Sequence, residues 1–139
     1  MKKMFLVAIM LVSVFTIQAQ ESKYTTFDAD NYDLTNKQEM KECYQDTYNL
    51  NDAMKRNQVV VKVSYENDAM LLSFDTDNEK IDPDNLDIAR TLCESFMTNI
   101  GFSGWTILQG HGVDYVKVET RYKGEYVDFF TMDVYLLLQ

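Results

Sequence analysis

The feature that most restricts the fold of this chain is a pair of β-rich stretches, residues 59–66 and 69–74, separated only by Asn67 and Asp68. Asparagine and aspartate tolerate the positive φ angles that a tight two-residue turn requires. The pattern therefore predicts an antiparallel β-hairpin, and the flanking sequence has to supply the layer that covers its apolar face.

Apolar residues recur at helical spacing on both sides of this hairpin. The first predicted helix covers about residues 36–56, follows Thr35 as a capping residue, and has an apolar face of Met40, Cys43, Tyr44, Thr47, Leu50 and Met54. The second runs from 83 to about 100, with Gly101 as its expected stop. Its apolar face comprises Leu86, Ala89, Leu92, Cys93, Phe96, Met97 and Ile100.

The last third of the chain predicts three more strands, over residues 105–108, 113–121 and 125–138, joined by glycine-containing turns. Short connections favour antiparallel neighbours, and two amphipathic helices need one sheet face to cover. We therefore expect an α+β fold of order α-β-β-α-β-β-β, in which two helices pack on one face of an antiparallel five-stranded sheet.

The N-terminus has the order of a signal peptide: two lysines, an apolar run over residues 4–15, and the small residue Ala19 before the expected cut. A membrane-spanning helix needs about 20 apolar residues, and this run is shorter. We expect residues 1–19 to be a cleavable signal peptide and 20–139 to form a single α+β domain. The mature chain would then be exported, periplasmic or secreted, and have no membrane span.

The charge of the chain argues against two classes of partner. It has 22 acidic and 13 basic residues and a formal net charge of −9. Nucleic acids and anionic membranes attract clusters of lysine and arginine, so we expect neither as a partner. Asp28, Asp30 and Asp33 could supply oxygen ligands to calcium, but the stretch lacks the glycine of an EF-hand, and a solvated turn fits it better. We expect no metal and no cofactor.

No set of residues predicts a catalytic site. The single histidine, His111, lies between two glycines in an expected turn, where it would be a poorly held base. Asp128 interrupts the apolar side of the last strand, so it is either a buried carboxyl with a raised pKa or a residue turned to solvent by a bulge. A carboxylate-dependent hydrolase is therefore the alternative to a non-catalytic module.

The register of the last hairpin defines a candidate binding surface. A three-residue loop over 122–124 would keep the apolar residues of the last strand on the core face and would oppose Lys117 to Phe129. The outer face of the sheet would then carry a mixed aromatic and charged set, namely Tyr115, Lys117, Phe129, Asp133 and Tyr135.

The two cysteines, Cys43 and Cys93, lie on the inward faces of the two predicted helices. Because an exported chain reaches an oxidising compartment, a disulfide between them is one hypothesis, and two buried thiols are the other.

These features favour an exported small non-catalytic binding or interaction module for an unknown protein or small-molecule partner. An exported hydrolase is the second hypothesis, and a structural envelope component is the third.

The signal-peptide hypothesis predicts where the mature chain begins. N-terminal sequencing of exported protein should start at Gln20 or within a residue or two of it, because Ala19 satisfies the small-residue requirement at the cut. Exported material that still begins with Met1 would contradict both the predicted cleavage and the predicted localisation.

Overall fold

The structure, a computed structural model, describes residues 31–79 and 87–137. The predicted signal peptide 1–19, the first two aspartates of the calcium hypothesis and the expected start of the second helix at Pro83 lie outside the described residues.

The described chain forms four helices and four strands in the order α-α-β-β-α-β-β-α. They are α1 (Lys37–Leu50), α2 (Asp52–Arg56), β1 (Val59–Glu66), β2 (Ala69–Thr76), α3 (Asp87–Gly110), β3 (Tyr115–Tyr122), β4 (Glu125–Asp133) and α4 (Val134–Leu137). The strands form one mixed sheet in the order β1-β2-β3-β4. The α+β class is confirmed, and so is the β1-β2 hairpin, whose turn residue Asn67 has φ 53°.

The expected five-stranded antiparallel sheet is wrong, because residues 105–108 belong to α3 and form no strand. Gly101 does not end the helix but kinks it, with φ 64° and ψ −171°, and the helix continues with Gly104 and Leu108 buried. The indole N–H of Trp105 donates to the Met97 carbonyl at 2.8 Å, which ties the two halves together across the kink. Since α3 returns the chain to the other end of the sheet, β2 and β3 pair in parallel.

The first predicted helix is also interrupted, at Asn51. This residue has an extended backbone, φ −69° and ψ 129°, and its side chain accepts hydrogen bonds from the amides of Ala53 and Met54. Asn51 therefore ends α1 and caps α2, as asparagine does at helix N-termini.

The last hairpin has a two-residue turn rather than the expected three-residue loop. Lys123 and Gly124 both have positive φ, 52° and 82°, as such a turn requires. A simple two-residue turn would have moved Phe130 and Met132 to the solvent side. A bulge leaves Val127 unpaired and shifts the register, so that both residues stay on the core side, opposite Val118 and Val116.

The core lies between the sheet and the two long helices. α1 packs on β1, and α3 packs on β3 and β4. Aromatic rings join the helices to each other and to the sheet: Phe96 of α3 meets Tyr44 edge-on at 5.1 Å and stacks on Tyr48 at 6.3 Å, and Tyr48 meets Phe74 of β2 at 5.1 Å. These rings fix both helices on the same face of the sheet.

No disulfide joins Cys43 and Cys93, so the disulfide hypothesis is wrong and both side chains are buried thiols. The Cys93 sulfur points toward β3, 3.8 Å from the Val116 carbonyl oxygen, while aromatic rings occupy the contact between the helices. Burial raises the pKa of the Cys93 thiol to about 12, which is the behaviour of a core residue rather than a reactive one.

The outer edge of β1 is closed by side chains of α1. The Asn49 amide both donates to the Val61 carbonyl at 2.8 Å and accepts from the Val61 N–H at 2.9 Å. Gln45 accepts from the Val63 N–H at 2.9 Å. These amides replace three of the hydrogen bonds that a neighbouring strand would make, which protects the middle of this edge from pairing with another chain.

Replacing Asn49 by alanine should therefore destabilise the protein. The substitution leaves both backbone groups of the buried Val61 without a partner, and we expect the free energy of unfolding to fall by about 1–3 kcal/mol. Urea denaturation measures the change. The control is Gln38→Ala, because Gln38 bonds only to the exposed Glu42; an equal loss in both variants would contradict the role of Asn49.

Candidate binding surface

The sheet has one face without a covering layer in the described part of the chain. Because α1 and α3 both pack on the opposite side, alternate strand residues point away from the core. We call this surface the open face. Its residues are Val60, Lys62, Ser64 and Glu66 of β1, Ala69, Leu71, Ser73 and Asp75 of β2, Tyr115, Lys117, Glu119 and Arg121 of β3, and Tyr126, Phe129, Thr131 and Asp133 of β4.

Four of the five residues predicted for binding lie together on the open face. Tyr115 and Asp133 are direct cross-strand partners. The Lys117 ammonium lies 4.8 Å from the centre of the Phe129 ring, within cation–π range. The real register opposes Lys117 to Thr131, so it meets Phe129 diagonally rather than directly as expected.

The fifth residue, Tyr135, lies in α4 rather than in the strand. β4 ends at Asp133, whose carboxylate accepts a hydrogen bond from the Tyr135 N–H at 2.8 Å and so caps the short helix. The expected strand over residues 125–138 is therefore too long. Tyr135 is 56% exposed and does not follow the alternation of the open face.

A buried carboxylate lies at the middle of the open face, and sequence reasoning missed it. Glu119 is only 7% exposed, although the alternation of β3 indicated a solvated position. Its carboxylate accepts hydrogen bonds from the Ser73 hydroxyl at 2.8 Å and from Arg121 Nε at 2.5 Å. Arg121 also donates from Nη1 to the Gly124 carbonyl at 2.9 Å, which links this network to the last turn.

The surroundings of Glu119 keep it ionised. Burial by itself raises the pKa of the carboxyl, but the hydrogen bonds from Arg121 and Ser73 and the charges of Arg121 and Lys117 outweigh burial and lower the pKa below 4.5. Glu119 in turn raises the pKa of Arg121. The pair is a fixed internal ion pair, so Glu119 is a weak base and a poor proton donor at neutral pH.

A cleft of about 710 Å³ opens beside this network. It is lined by Gln58, Val60, Lys62, Ser64, Leu71, Ser73, Asp75, Thr76, Asp77, Glu119, Arg121, Lys123 and Gly124. Asp75 accepts from the Gly124 N–H at 3.1 Å, and so the turn of the last hairpin forms one wall. The cleft mixes both signs of charge with hydroxyl groups, which suits a ligand held by several polar contacts rather than by one strong charge.

The residues considered for catalysis do not converge on this cleft. His111 Nε2 lies 2.8 Å from the Leu34 carbonyl oxygen and so connects the end of α3 to the segment before α1. Asp128 is opposite Thr120, on the helix side of the sheet. The third aspartate of the calcium hypothesis, Asp33, accepts hydrogen bonds from both the backbone and the hydroxyl of Thr35, which lower its pKa.

No protein-family model, curated protein or solved structure matches this chain. Within residues 31–79 and 87–137, no group of three metal-ligating side chains is close enough to hold an ion. No helix in the same part of the chain is both long and apolar enough to cross a membrane.

The Glu119 network predicts a pH dependence of stability. A carboxyl whose pKa is lowered by folding stabilises the protein above its unfolded pKa, and this contribution is lost as the pH falls through the folded pKa. At neutral pH, Glu119→Gln should therefore lower the free energy of unfolding by about 1–2 kcal/mol.

The difference between the two proteins should shrink as the pH falls below 4.5, the ordinary pKa of the group. Urea denaturation across this range measures it, with the exposed Glu66→Gln as the control. If the difference in the free energy of unfolding stays constant down to pH 3, the loss of stability in Glu119→Gln comes from the changed shape of the side chain rather than from its lost charge.

Proposed function

We propose that this chain is an exported, non-catalytic binding module and that the open face takes a protein or small-molecule partner. The observation that carries the proposal is a sheet face that no described residue covers and that has exposed aromatic residues. Tyr115, Tyr126 and Phe129 are 39%, 51% and 49% exposed, although burial of side chains this large and aromatic would stabilise the protein. Grouped exposed aromatic residues of this kind typify interaction surfaces.

The polar part of the open face supports binding because it is already ordered. Glu119, Ser73 and Arg121 hold one another in place, and Lys117 is held against Phe129. A partner that docks here meets side chains whose conformations are already fixed, so less conformational entropy is lost on binding.

The carboxylate-dependent hydrolase receives less support from the same geometry. Such an enzyme needs a carboxyl whose pKa is raised so that it donates a proton near neutral pH. Glu119 has a lowered pKa instead, and Asp128 lies on the other side of the sheet. The Ser73 hydroxyl is turned to Glu119, a weak base, which does not activate it as a nucleophile.

The proposal is tested by placing a photo-crosslinking phenylalanine analogue at Tyr115, on the open face, in cells that produce and export the protein. The matched control carries the analogue at Phe102 of α3, which is 67% exposed away from this face. We expect a discrete adduct from position 115 and none from position 102, with mass spectrometry identifying its partner.

In the same experiment, Phe129→Ser should reduce the yield of the adduct about tenfold, as removal of a central aromatic contact does. Circular dichroism and urea denaturation check that this variant is folded. Equal adducts from both positions, or no adduct from position 115, would contradict binding at the open face.

A further inference from the structure

The two edges of the sheet differ in how their backbone groups are satisfied. At β1, both outward groups of Val61 are bonded to Asn49, and the outward N–H of Val63 is bonded to Gln45. At β4, the hydrogen-bonding pattern of the neighbouring strand β3 shows which backbone groups point outward. Tyr115 donates its N–H to Asp68, and Lys123 donates its N–H to Thr76.

These two bonds fix the orientation of the β3 backbone. Odd-numbered residues of β3 turn their N–H and C=O groups toward β2, so even-numbered residues turn theirs toward β4. Through the observed register, the backbones of Asp128, Phe130 and Met132 then pair with β3. The backbone groups of Phe129 and Thr131 therefore face outward, and no side chain or backbone group of the described residues bonds to them.

The bulge and the acidic residues of β4 restrict what can pair with this edge. The unpaired Val127 breaks the regular edge, which leaves the part from Asp128 to Asp133 for an added strand. β4 contains Glu125, Asp128 and Asp133 and no basic residue.

Two aromatic rings of β4 have a basic side chain of a neighbouring element over them. Arg90 lies 5.9 Å from the Phe130 ring and bonds to Glu94 at 2.7 Å, and Lys117 lies over Phe129.

Charge decides between the candidate occupants. A second copy of the chain would bring acidic strands together between molecules that each carry a net charge of −9. Like charges on adjacent strands are destabilising, and acidic edge residues are a common protection against self-association. An added strand with lysine or arginine would instead complement Asp128 and Asp133.

We propose that the free edge of β4, from Asp128 to Asp133, binds an extended lysine- or arginine-containing segment of another protein as a fifth strand. The main chain of Phe129 and Thr131 supplies the hydrogen bonds. Basic side chains of the segment complement the acidic residues of β4, and an apolar side chain extends the aromatic surface at Phe129. This inference does not depend on the proposed function, because its hydrogen bonds come from backbone groups of the edge, and the open-face side chains of Phe129 and Asp133 only add contacts to them.

The probe is a synthetic peptide of the length of β4, 9 residues, that alternates lysine with valine. The variants are Thr131→Pro, which removes an outward N–H at an edge position where proline is tolerated, and Thr131→Val, which keeps it. Fluorescence anisotropy should show that the peptide binds the unaltered protein and Thr131→Val alike, and binds Thr131→Pro about tenfold or more weakly.

Two further peptides separate strand addition from simple charge attraction. One has glutamate in place of lysine, and the other keeps the lysines but has proline at alternate positions; neither should bind. Amide hydrogen exchange of the unaltered protein gives a readout that does not depend on any variant. The lysine peptide should slow the exchange of the Phe129 and Thr131 amides, which face outward in the free protein.

The inference is overturned if the lysine peptide does not bind, if Thr131→Pro binds it as well as Thr131→Val does, or if the proline-containing peptide binds equally. Protection of other amides without Phe129 and Thr131 would also overturn it. The variant Phe129→Ser keeps its outward N–H and should still bind the lysine peptide, so loss of the open-face partner and loss of strand addition are distinguishable.

Discussion

The parallel pairing of β2 with β3 is the constraint on which the rest of the structure depends. It exists because α3 carries the chain back across the sheet, with Gly101 providing the one sharp change of direction inside the helix. This pairing brings Ser73 beside Glu119, although the two residues are 46 positions apart in the sequence. It also brings Asp75 beside Arg121. The same pairing places one hairpin on each side of the sheet, so that β1 and β4 become its edges.

The elements that lie next to β1 and β4 in the sequence determine whether the backbone groups of each edge find partners. α1 comes before β1 and packs on it, so Gln45 and Asn49 reach its backbone groups without any additional element. β4 is followed by the short helix α4, which begins where the strand ends, and no described residue covers the edge. Its bulge and its acidic residues oppose pairing with an identical strand, yet the outward backbone groups of Phe129 and Thr131 have no partner within residues 31–79 and 87–137.

Local signals predicted the elements that depend on local chemistry. The β1-β2 hairpin followed from Asn67 and Asp68, and most of α1 followed from its helical periodicity. The strand predicted over residues 105–108 was wrong because a short apolar run fits a buried helix as well as a strand. The predicted helix end at Gly101 was wrong because a glycine that kinks a helix looks in sequence like one that ends it. The register predicted for the β3-β4 hairpin was wrong for a similar reason. Phe130 and Met132 do lie on the core side, as expected, but a bulge in β4 places them there instead of a longer turn.

Part of the candidate binding surface could likewise be predicted from local sequence signals, and part of it could not. Alternation along β3 and β4 was enough to place Tyr115, Lys117, Phe129 and Asp133 on one face, since side-chain period does not depend on which strand lies alongside. The burial of Glu119 does depend on it, because Ser73 and Arg121 enclose the carboxylate only once β2 is its neighbour. The open face is consequently almost balanced in charge, with the basic residues Lys62, Lys117 and Arg121 against the acidic residues Glu66, Asp75, Glu119 and Asp133. The acidic excess of the chain therefore has little influence there. A partner of the open face, as proposed, would be selected by shape and aromatic contacts, whereas the strand proposed for the β4 edge would be selected by charge.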